Sequence, residues 1–401
     1  MLIMITRKEE LQHLYSFKDS EIIKVITGIR RCGKSTFLKM YKDLLIANGI
    51  PAKNIISINF ESGEYFKIDS YQKMYDFINE KLQANGMNYL LLDEVQVVPE
   101  FQKAVDALFI KKNCDLYITG SNAYLLSGEL ATLLSGRYVE IHLLPLSFKE
   151  YVSVFPDDKN YPRLYRNYIE FSSFPYTIQL KNNKQQVNDY LGGIYSTVLL
   201  KDIVARKNIS DIAQLESIIR FMFDNIGNIV SVKKIADTMT SDGRKISTHT
   251  VESYLDALCA SFILYKVSRY DLKGKQFLKS GEKYYLADIA LRSYLLGSKF
   301  IDRGFILENI VFLELLRRGY KISIGKTEEY EVDFVAQKNG LIEYFQVCES
   351  VRSEDTLKRE LRALESIKDH NTKTLLTLDD DSVTDYNGIK QVYALDWLLD
   401  K

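Results

Sequence analysis

The sequence predicts an α/β protein in which a parallel β-sheet covered by helices is followed by smaller domains. Residues 21–142 alternate strand-like and helix-like segments, an order typical of parallel sheets with helical crossovers. The segment MNYLLLD at residues 87–93 is an almost continuous apolar run, as expected for a strand buried on both faces. The chain has 401 residues. At roughly 150 residues per domain, this length predicts two to four domains.

The predicted sheet has five strands, each marked by a short run of β-branched and other apolar residues. They are EIIKVIT (21–27), IISINF (55–60), MNYLLLD (87–93), DLYIT (115–119) and RYVEIHL (137–143). The helical patterns between them cover residues 34–47, 71–83 and 99–112. We expect the first helix to end before Gly49 and Pro51, and Pro99 to lie in the first turn of the third. Residues 1–146 are the first predicted domain.

Three further domains are predicted from the remaining residues. Residues 147–210 are mostly helical and form a lid or linker. Residues 211–300 contain three helical patterns and then two strands, FILYKVSRY and KYYLAD, an order that predicts a winged helix. Residues 301–401 follow the order α-β-β-β-α-β, which predicts a small mixed sheet with a helix on each side.

Composition excludes several classes of protein. Hydrophobic residues make up 46% and charged residues 26%, and 27 Tyr and 20 Phe stand against 6 Pro, so the chain is not disordered throughout. The formal net charge is zero, which disfavours a wholly basic nucleic-acid coat protein. The four cysteines form no CxxC pair, so neither a zinc site nor a disulfide framework is indicated. Without a signal-peptide core or an apolar stretch of about 20 residues, we expect a cytoplasmic protein without membrane contact.

A phosphate-binding motif follows the first strand. The segment GIRRCGKS at residues 28–35 fits the pattern GxxxxGK[ST] and is followed by a predicted helix, as the motif requires. Glycines let backbone N–H groups surround phosphates, Lys34 would reach the β- and γ-phosphates, and Ser35 would ligate Mg²⁺. The alternative is a glycine-rich turn with no ligand. The candidate nucleotide-binding residues are Gly28, Ile29, Arg30, Arg31, Cys32, Gly33, Lys34, Ser35 and Thr36.

An acidic pair supplies the second part of the predicted site. Asp93 and Glu94 end the buried third strand, and ligands of such folds bind where parallel strands end. Asp93 would hold the Mg²⁺ shell, and Glu94 would orient and polarise the attacking water. Since the strand at 55–60 lies between the two motifs, the order favours ATPases with a catalytic glutamate over kinase-like proteins. The alternative is an acidic turn after a core strand.

Three residues near the same sheet edge have open interpretations. Asn122, in the segment TGSN that ends the fourth strand, would act as a sensor of the γ-phosphate or its water, or belong to a simple turn. Arg137 would be an arginine finger acting on a neighbouring subunit or a surface arginine. Cys32 is interpreted as a small loop residue, or else as a thiol that makes the enzyme sensitive to thiol reagents.

Together these segments resemble a known family. GIRRCGKST, YLLLDEVQ, TGSNAYLLSGELATLLSGRYVEIHLLPLSFKEY and EVDFVAQ are similar to prokaryotic AAA-type ATPases that carry a C-terminal domain of unknown function. The resemblance covers essentially the whole chain. It implies a P-loop NTPase core with strand order 5-1-4-3-2, a winged helix and a tail resembling restriction endonucleases. It assigns a class of protein and no pathway.

The resemblance to endonucleases also implies a metal site, which this tail matches only in part. Asp333 occupies the position of the first metal-binding aspartate, and Glu308 would supply a carboxylate from a helix. Gln346 and Cys348 occupy the positions where such folds carry an acid and a lysine. We therefore expect a tail without nuclease activity that binds DNA or a protein partner.

The start of the third winged-helix helix is a candidate contact for DNA phosphates. Residues 244–250, RKISTHT, carry two basic residues and several hydroxyls, although winged helices in ATPases also serve as structural lids.

The leading hypothesis is an ATP-hydrolysing switch or motor that requires Mg²⁺, forms homo-oligomers and acts on DNA or a protein. The alternatives are an ATP-dependent nuclease and an ATP-sensing DNA-binding regulator. Gln346 and Cys348 disfavour the nuclease, whereas Lys34, Asp93 and Glu94 disfavour a purely binding role.

Overall fold

The computed structural model of the chain describes residues 5–120, 136–197, 203–204, 209, 211–278, 281–297, 303–381 and 384–401. These residues divide into two compact units, and each is described by itself. The first unit contains the described residues up to Pro145 together with Phe174–Tyr176 and Ala260–Phe262. The second unit contains the other described residues.

The first unit has one parallel sheet among helices. Its elements are α1 (Lys8–Ser16), β1 (Ile23–Thr27), α2 (Lys34–Ala47), β2 (Ile55–Asn59), α3 (Tyr71–Asn79), β3 (Asn88–Asp93), α4 (Phe101–Phe109), β4 (Cys114–Thr119) and β5 (Tyr138–His142). Short 3₁₀ helices cover Ala52–Asn54, Gly63–Tyr65 and Val95–Val97. The strand order is β2-β3-β4-β1-β5, and every neighbouring pair is parallel. The predicted α/β class and strand order are confirmed.

Burial explains why β1 and β3 occupy the interior of this sheet. All five residues of β1 and all six of β3 are buried, because helices cover both faces of a parallel sheet. The one lysine in β1, Lys24, forms an ion pair with the buried Asp115 of β4, which also accepts a 2.8 Å hydrogen bond from the Tyr117 hydroxyl. A charge buried in this way requires such a partner. The carboxyl ends of β1, β3 and β4 meet at one edge, which positions the site.

The second unit contains helices, a hairpin and a mixed sheet. Its helices are α5 (Phe148–Ser153), α6 (Tyr161–Phe171), α7 (Lys184–Ile194), α8 (Ile212–Asp224), α9 (Val232–Ser241), α10 (Thr248–Ala260), α11 (Ile289–Leu296), α12 (Arg303–Arg317), α13 (Glu354–Glu365) and α14 (Ala394–Leu398). Its strands are β6 (Leu264–Val267), β7 (Arg269–Asp271), β8 (Gln276–Phe277), β9 (Lys283–Leu286), β10 (Lys321–Lys326), β11 (Glu331–Lys338), β12 (Leu341–Cys348), β13 (Thr372–Thr377), β14 (Thr384–Tyr386) and β15 (Ile389–Tyr393). A further 3₁₀ helix spans Pro175–Leu180.

The mixed sheet is larger than the small sheet that the sequence predicted. It has eight strands in the order β14-β15-β13-β12-β11-β10-β7-β8. The predicted strand at 262–270 divides after Val267: β6 pairs with β9, whereas β7 pairs in parallel with β10. At the other end, Asn387 and Gly388 both have positive φ and connect β14 to β15. Strands of two or three residues carry too weak a periodic signal to predict their partners.

Helix ends differ modestly from the expected positions. The predicted helix at 71–83 ends at Asn79 and continues as turns, and the one at 99–112 begins at Phe101, after Glu100 in a left-handed conformation. Pro99 therefore precedes this helix and is not in its first turn. In the portion of the chain that the structure describes, no helix is both long and apolar enough to cross a membrane.

Candidate functional site: a phosphate loop beside an acidic strand end

The phosphate loop connects β1 to α2 through backbone that only glycine adopts easily. Gly28 has φ +142°, and a Cβ added there would lie 2.1 Å from the backbone oxygen of Leu143. Gly33 has φ +103° and caps the N-terminus of α2. Both glycines are therefore required for the loop to turn back against the sheet. The loop ends at the helix N-terminus, where the backbone favours bound anions.

Lys34 points into the hollow of this loop. Its side chain is almost fully buried, and its ammonium donates to the carbonyl oxygens of Gly28 at 3.0 Å and Ile29 at 3.5 Å. The same nitrogen lies 3.8 Å from Oε1 of Glu94. A positive charge thus lies between the loop and the acidic end of β3, as the motif predicts for a lysine that contacts phosphate.

Asp93 is held by polar groups from three other elements. Asn59 at the end of β2 donates to Oδ2 at 2.8 Å, and Thr119 at the end of β4 donates to Oδ1 at 2.5 Å. Burial raises the pKa of Asp93, while hydrogen bonds with Ser35 and Thr119 oppose that shift. A cation beside this carboxylate would offset the cost of its burial. The donor set of Ser35 and Asp93 therefore fits Mg²⁺, and the loop fits the phosphates of a nucleotide.

Glu94 follows Asp93 with a backbone that is uncommon for a residue with a side chain. Its φ is +53° and its ψ +47°, and its amide donates to the Thr119 hydroxyl at 2.9 Å. The carboxylate accepts a hydrogen bond from Gln96, and Glu94 is 8% exposed. Thr119 therefore binds both acidic residues, since its hydroxyl donates to the Asp93 carboxylate and accepts from the Glu94 amide. Such left-handed conformations persist where neighbouring contacts hold them.

Sequence reasoning missed Arg7 and Asn59, and it named Thr119 only as part of the segment TGSN. Arg7, 4% exposed, donates to the carbonyl of Leu144 at 2.7 Å and to that of Cys32 at 3.0 Å, and so links the phosphate loop to the chain after β5. Asn59 and Thr119 were detectable as polar residues that end strands next to β3. No local pattern marks Arg7.

The other predicted residues have varied surroundings. Asn122 lies outside the described residues. Arg137 is about half exposed and pairs with Asp106 at 2.9 Å, so its role across a subunit interface stays a prediction. Arg30 pairs with Glu61 at 2.9 Å, and Thr36 is exposed. Cys32 is fully buried and burial raises the pKa of its thiol, which disfavours the reactive thiolate.

The second predicted cluster, in the tail, is also brought together. The amide of Val347 donates to Oδ2 of Asp333 at 2.9 Å, and the Asp333 amide donates to the side-chain oxygen of Gln346 at 3.3 Å. Gln346 donates in turn to Glu360 at 2.8 Å. Burial and the nearby Glu308 carboxylate raise the pKa of Asp333, while the Lys283 ammonium opposes that shift. Glu360 was not predicted from the sequence.

Two family models match the chain. One, described as an AAA domain, covers residues 20–152, and the other, Domain of unknown function (DUF8612), covers residues 162–300. An uncharacterized protein from Haemophilus influenzae is 43% identical over 400 residues, which cover 99% of each chain. An uncharacterized protein from Methanocaldococcus jannaschii is 32% identical over 370 residues, which cover 86% of this chain and 79% of that one.

Among solved structures, a Walker-type ATPase from Pyrococcus abyssi has a similar fold. The TM-score is 0.52 at 16% sequence identity, and the match covers 73% of this chain and 96% of that one. At this identity the likeness concerns the fold alone.

Proposed function

We propose that this chain, which belongs to the AAA-type P-loop ATPases that carry a C-terminal domain of unknown function, binds and hydrolyses Mg·ATP as a molecular switch or motor. The observation that carries the proposal is the convergence of Lys34, Asp93, Glu94 and Thr119 at one sheet edge. A charged lysine, a metal-binding acid and a second acid are the parts that ATP hydrolysis requires.

Each of these groups has a role that follows from its position. Lys34 exchanges its bonds to loop carbonyls for bonds to the β- and γ-phosphates, and Mg²⁺ held by Ser35 and Asp93 neutralises charge on them. Glu94 orients the attacking water and polarises it. Thr119 holds the backbone turn between the two acidic residues, because its hydroxyl bonds the side chain of Asp93 and the amide of Glu94.

Lys34→Ala is expected to weaken ATP binding by about 10²-fold or more, since it removes charge-assisted hydrogen bonds to phosphate. Titration calorimetry with Mg·ATP measures this loss. Lys39→Ala, which removes an exposed lysine from the same helix, is the matched control and should bind as the wild type does. Equal affinity in Lys34→Ala and Lys39→Ala would contradict the assignment of Lys34.

We further propose that the chain forms oligomers in which Arg137 acts on the site of a neighbouring subunit. Its side chain is about half exposed and pairs with Asp106 at 2.9 Å, which leaves it accessible for that contact. Mixing Arg137→Ala with Lys34→Ala protein is expected to restore part of the hydrolysis, because intact sites form between differently defective subunits. Verified mixed oligomers with no recovery of turnover would exclude action in trans.

We propose that the protein uses ATP hydrolysis to act on DNA or on a protein partner. Arg244 and Lys245, which precede α10, and His249 in its first turn are exposed, which supports phosphate contacts by this segment. The test is ATP turnover measured with and without duplex DNA, alongside the mass of the assembly in ATP. Stimulation by DNA favours a DNA motor, whereas bound but unhydrolysed ATP favours the ATP-sensing regulator.

A further inference from the structure

Three carboxylates of the second unit surround the ammonium of a single lysine. Lys283, the first residue of β9, lies 3.0 Å from Oε1 of Glu308 on α12, 3.0 Å from Oε1 of Glu331, and 3.5 Å from Oδ1 of Asp333 on β11. Tyr285 donates a 2.6 Å hydrogen bond to the same Glu308 oxygen. The lysine therefore has an oxygen partner for each of its three protons.

Most of this cluster is buried, and only the Glu331 side chain, 27% exposed, reaches solvent. Lys283 and Glu308 are each 4% exposed and Asp333 is 8% exposed. The Tyr285 ring stacks on Phe312 with centroids 4.4 Å apart, and it lies beside Phe334 at 5.7 Å. Burial alone would lower the pKa of Lys283, but the surrounding carboxylates raise it, so the lysine is charged. Aromatic side chains thus pack on one side of a charged lysine.

We propose that Lys283 is a resident cation: its ammonium takes the place that a divalent metal would occupy among Glu308, Glu331 and Asp333, and the tail works without a metal. A tail resembling restriction endonucleases implies a metal at Asp333, and the residues present do not fit one. Among the side chains that the structure describes, no group of three or more His, Cys, Asp and Glu is arranged to hold a metal ion.

The position of Lys283 gives a further physical reason to expect no nuclease activity. Position 348 carries no positive charge, because it is a cysteine. Lys283 on β9 does place an ammonium beside Asp333, but this charge is neutralised by ion pairs with Glu308 and Asp333. A metal ion would have to displace the ammonium from among carboxylates of which Glu308 and Asp333 are buried. The same ion pairs attach the β6–β9 hairpin to the large sheet, so the cluster serves cohesion of this unit.

The first test is charge compensation in the full-length chain. Lys283→Met leaves buried carboxylates without a counter-ion and is expected to lower the Tm of the second unit by roughly 6–20 °C. Adding Glu308→Gln to this variant should recover at least half of that loss, since it removes one uncompensated charge. The matched control is Lys266→Met on β6, whose 2.7 Å pair with Glu282 is partly exposed, and it should cost about 4 °C at most. Losses that simply add in the double variant would overturn the proposal.

The second test does not depend on the folding of Lys283→Met. Nucleotide-free wild type and Asp333→Asn are titrated with Mn²⁺, with free Mn²⁺ counted by electron paramagnetic resonance. Both are also assayed for nicking of supercoiled plasmid in Mg²⁺ and in Mn²⁺. Equal Mn²⁺ binding and no nicking by either protein are expected. A bound Mn²⁺, or a nicking activity, that is present in wild type and lost in Asp333→Asn would show a working metal site and overturn the proposal.

Discussion

Glu94→Gln is expected to bind ATP nearly as tightly as the wild type and to hydrolyse it about 10²–10⁴ times more slowly, the usual contribution of a general base. The amide keeps the size of the side chain and can still accept the hydrogen bond from Gln96, but it cannot polarise water as a carboxylate does. Asp93, with Asn59 and Thr119, is unchanged by the substitution. Steady-state phosphate release and nucleotide binding, measured on the same preparation, separate the two effects.

The matched control is Glu100→Gln, a carboxylate six residues further along the chain. Its side chain is about half exposed and pairs with Lys103, away from the phosphate loop, so neither binding nor turnover should change. Wild-type turnover in Glu94→Gln would show that another group activates the water. A loss of ATP binding as large as the loss of turnover would instead assign Glu94 to the binding of nucleotide.

Gly28→Ala is expected to lower the free energy of unfolding of the first unit by about 2–6 kcal/mol, and to abolish ATP binding in the fraction that folds. Its φ of +142° is strained for any residue with a Cβ, which costs about 1–3 kcal/mol. The added carbon would also lie 2.1 Å from the oxygen of Leu143, and relief of such an overlap costs about another 1–3 kcal/mol. Since the oxygen belongs to the backbone of Leu143, no movement of a side chain can relieve this overlap.

Gly49→Ala separates these two costs. Gly49 follows α2 with φ +85°, but nothing lies within 4 Å of an added Cβ, so only the backbone cost of about 1–2 kcal/mol is expected. Urea unfolding of both variants, with ATP affinity as the second measurement, gives the comparison. Equal losses of stability at the two positions would mean that the contact with Leu143 is unimportant for the phosphate loop.

Much of the first unit and its site could be predicted from contiguous residues. The eight residues of the phosphate motif, with a strand before and a helix after them, are close in space because they are close in the chain. Asp93 and Glu94 were predictable because carboxyl ends of parallel strands meet at one edge. The eight-stranded sheet was predicted only in part, since β7, β8 and β14 are too short for periodicity to indicate their partners.

The sequence by itself determined the nucleotide-binding class of this protein, because phosphate recognition by backbone and a lysine needs a short, continuous segment. Only the tertiary structure decided which distant side chains complete the two clusters. Arg7 contacts a carbonyl 137 residues away, and Lys283 reaches a carboxylate 50 residues away. An arginine or lysine has the same local pattern whether it is solvated or buried. The partner of a buried arginine or lysine depends on which oxygens the fold buries beside it and removes from water. That set of oxygens comes together only in the folded chain.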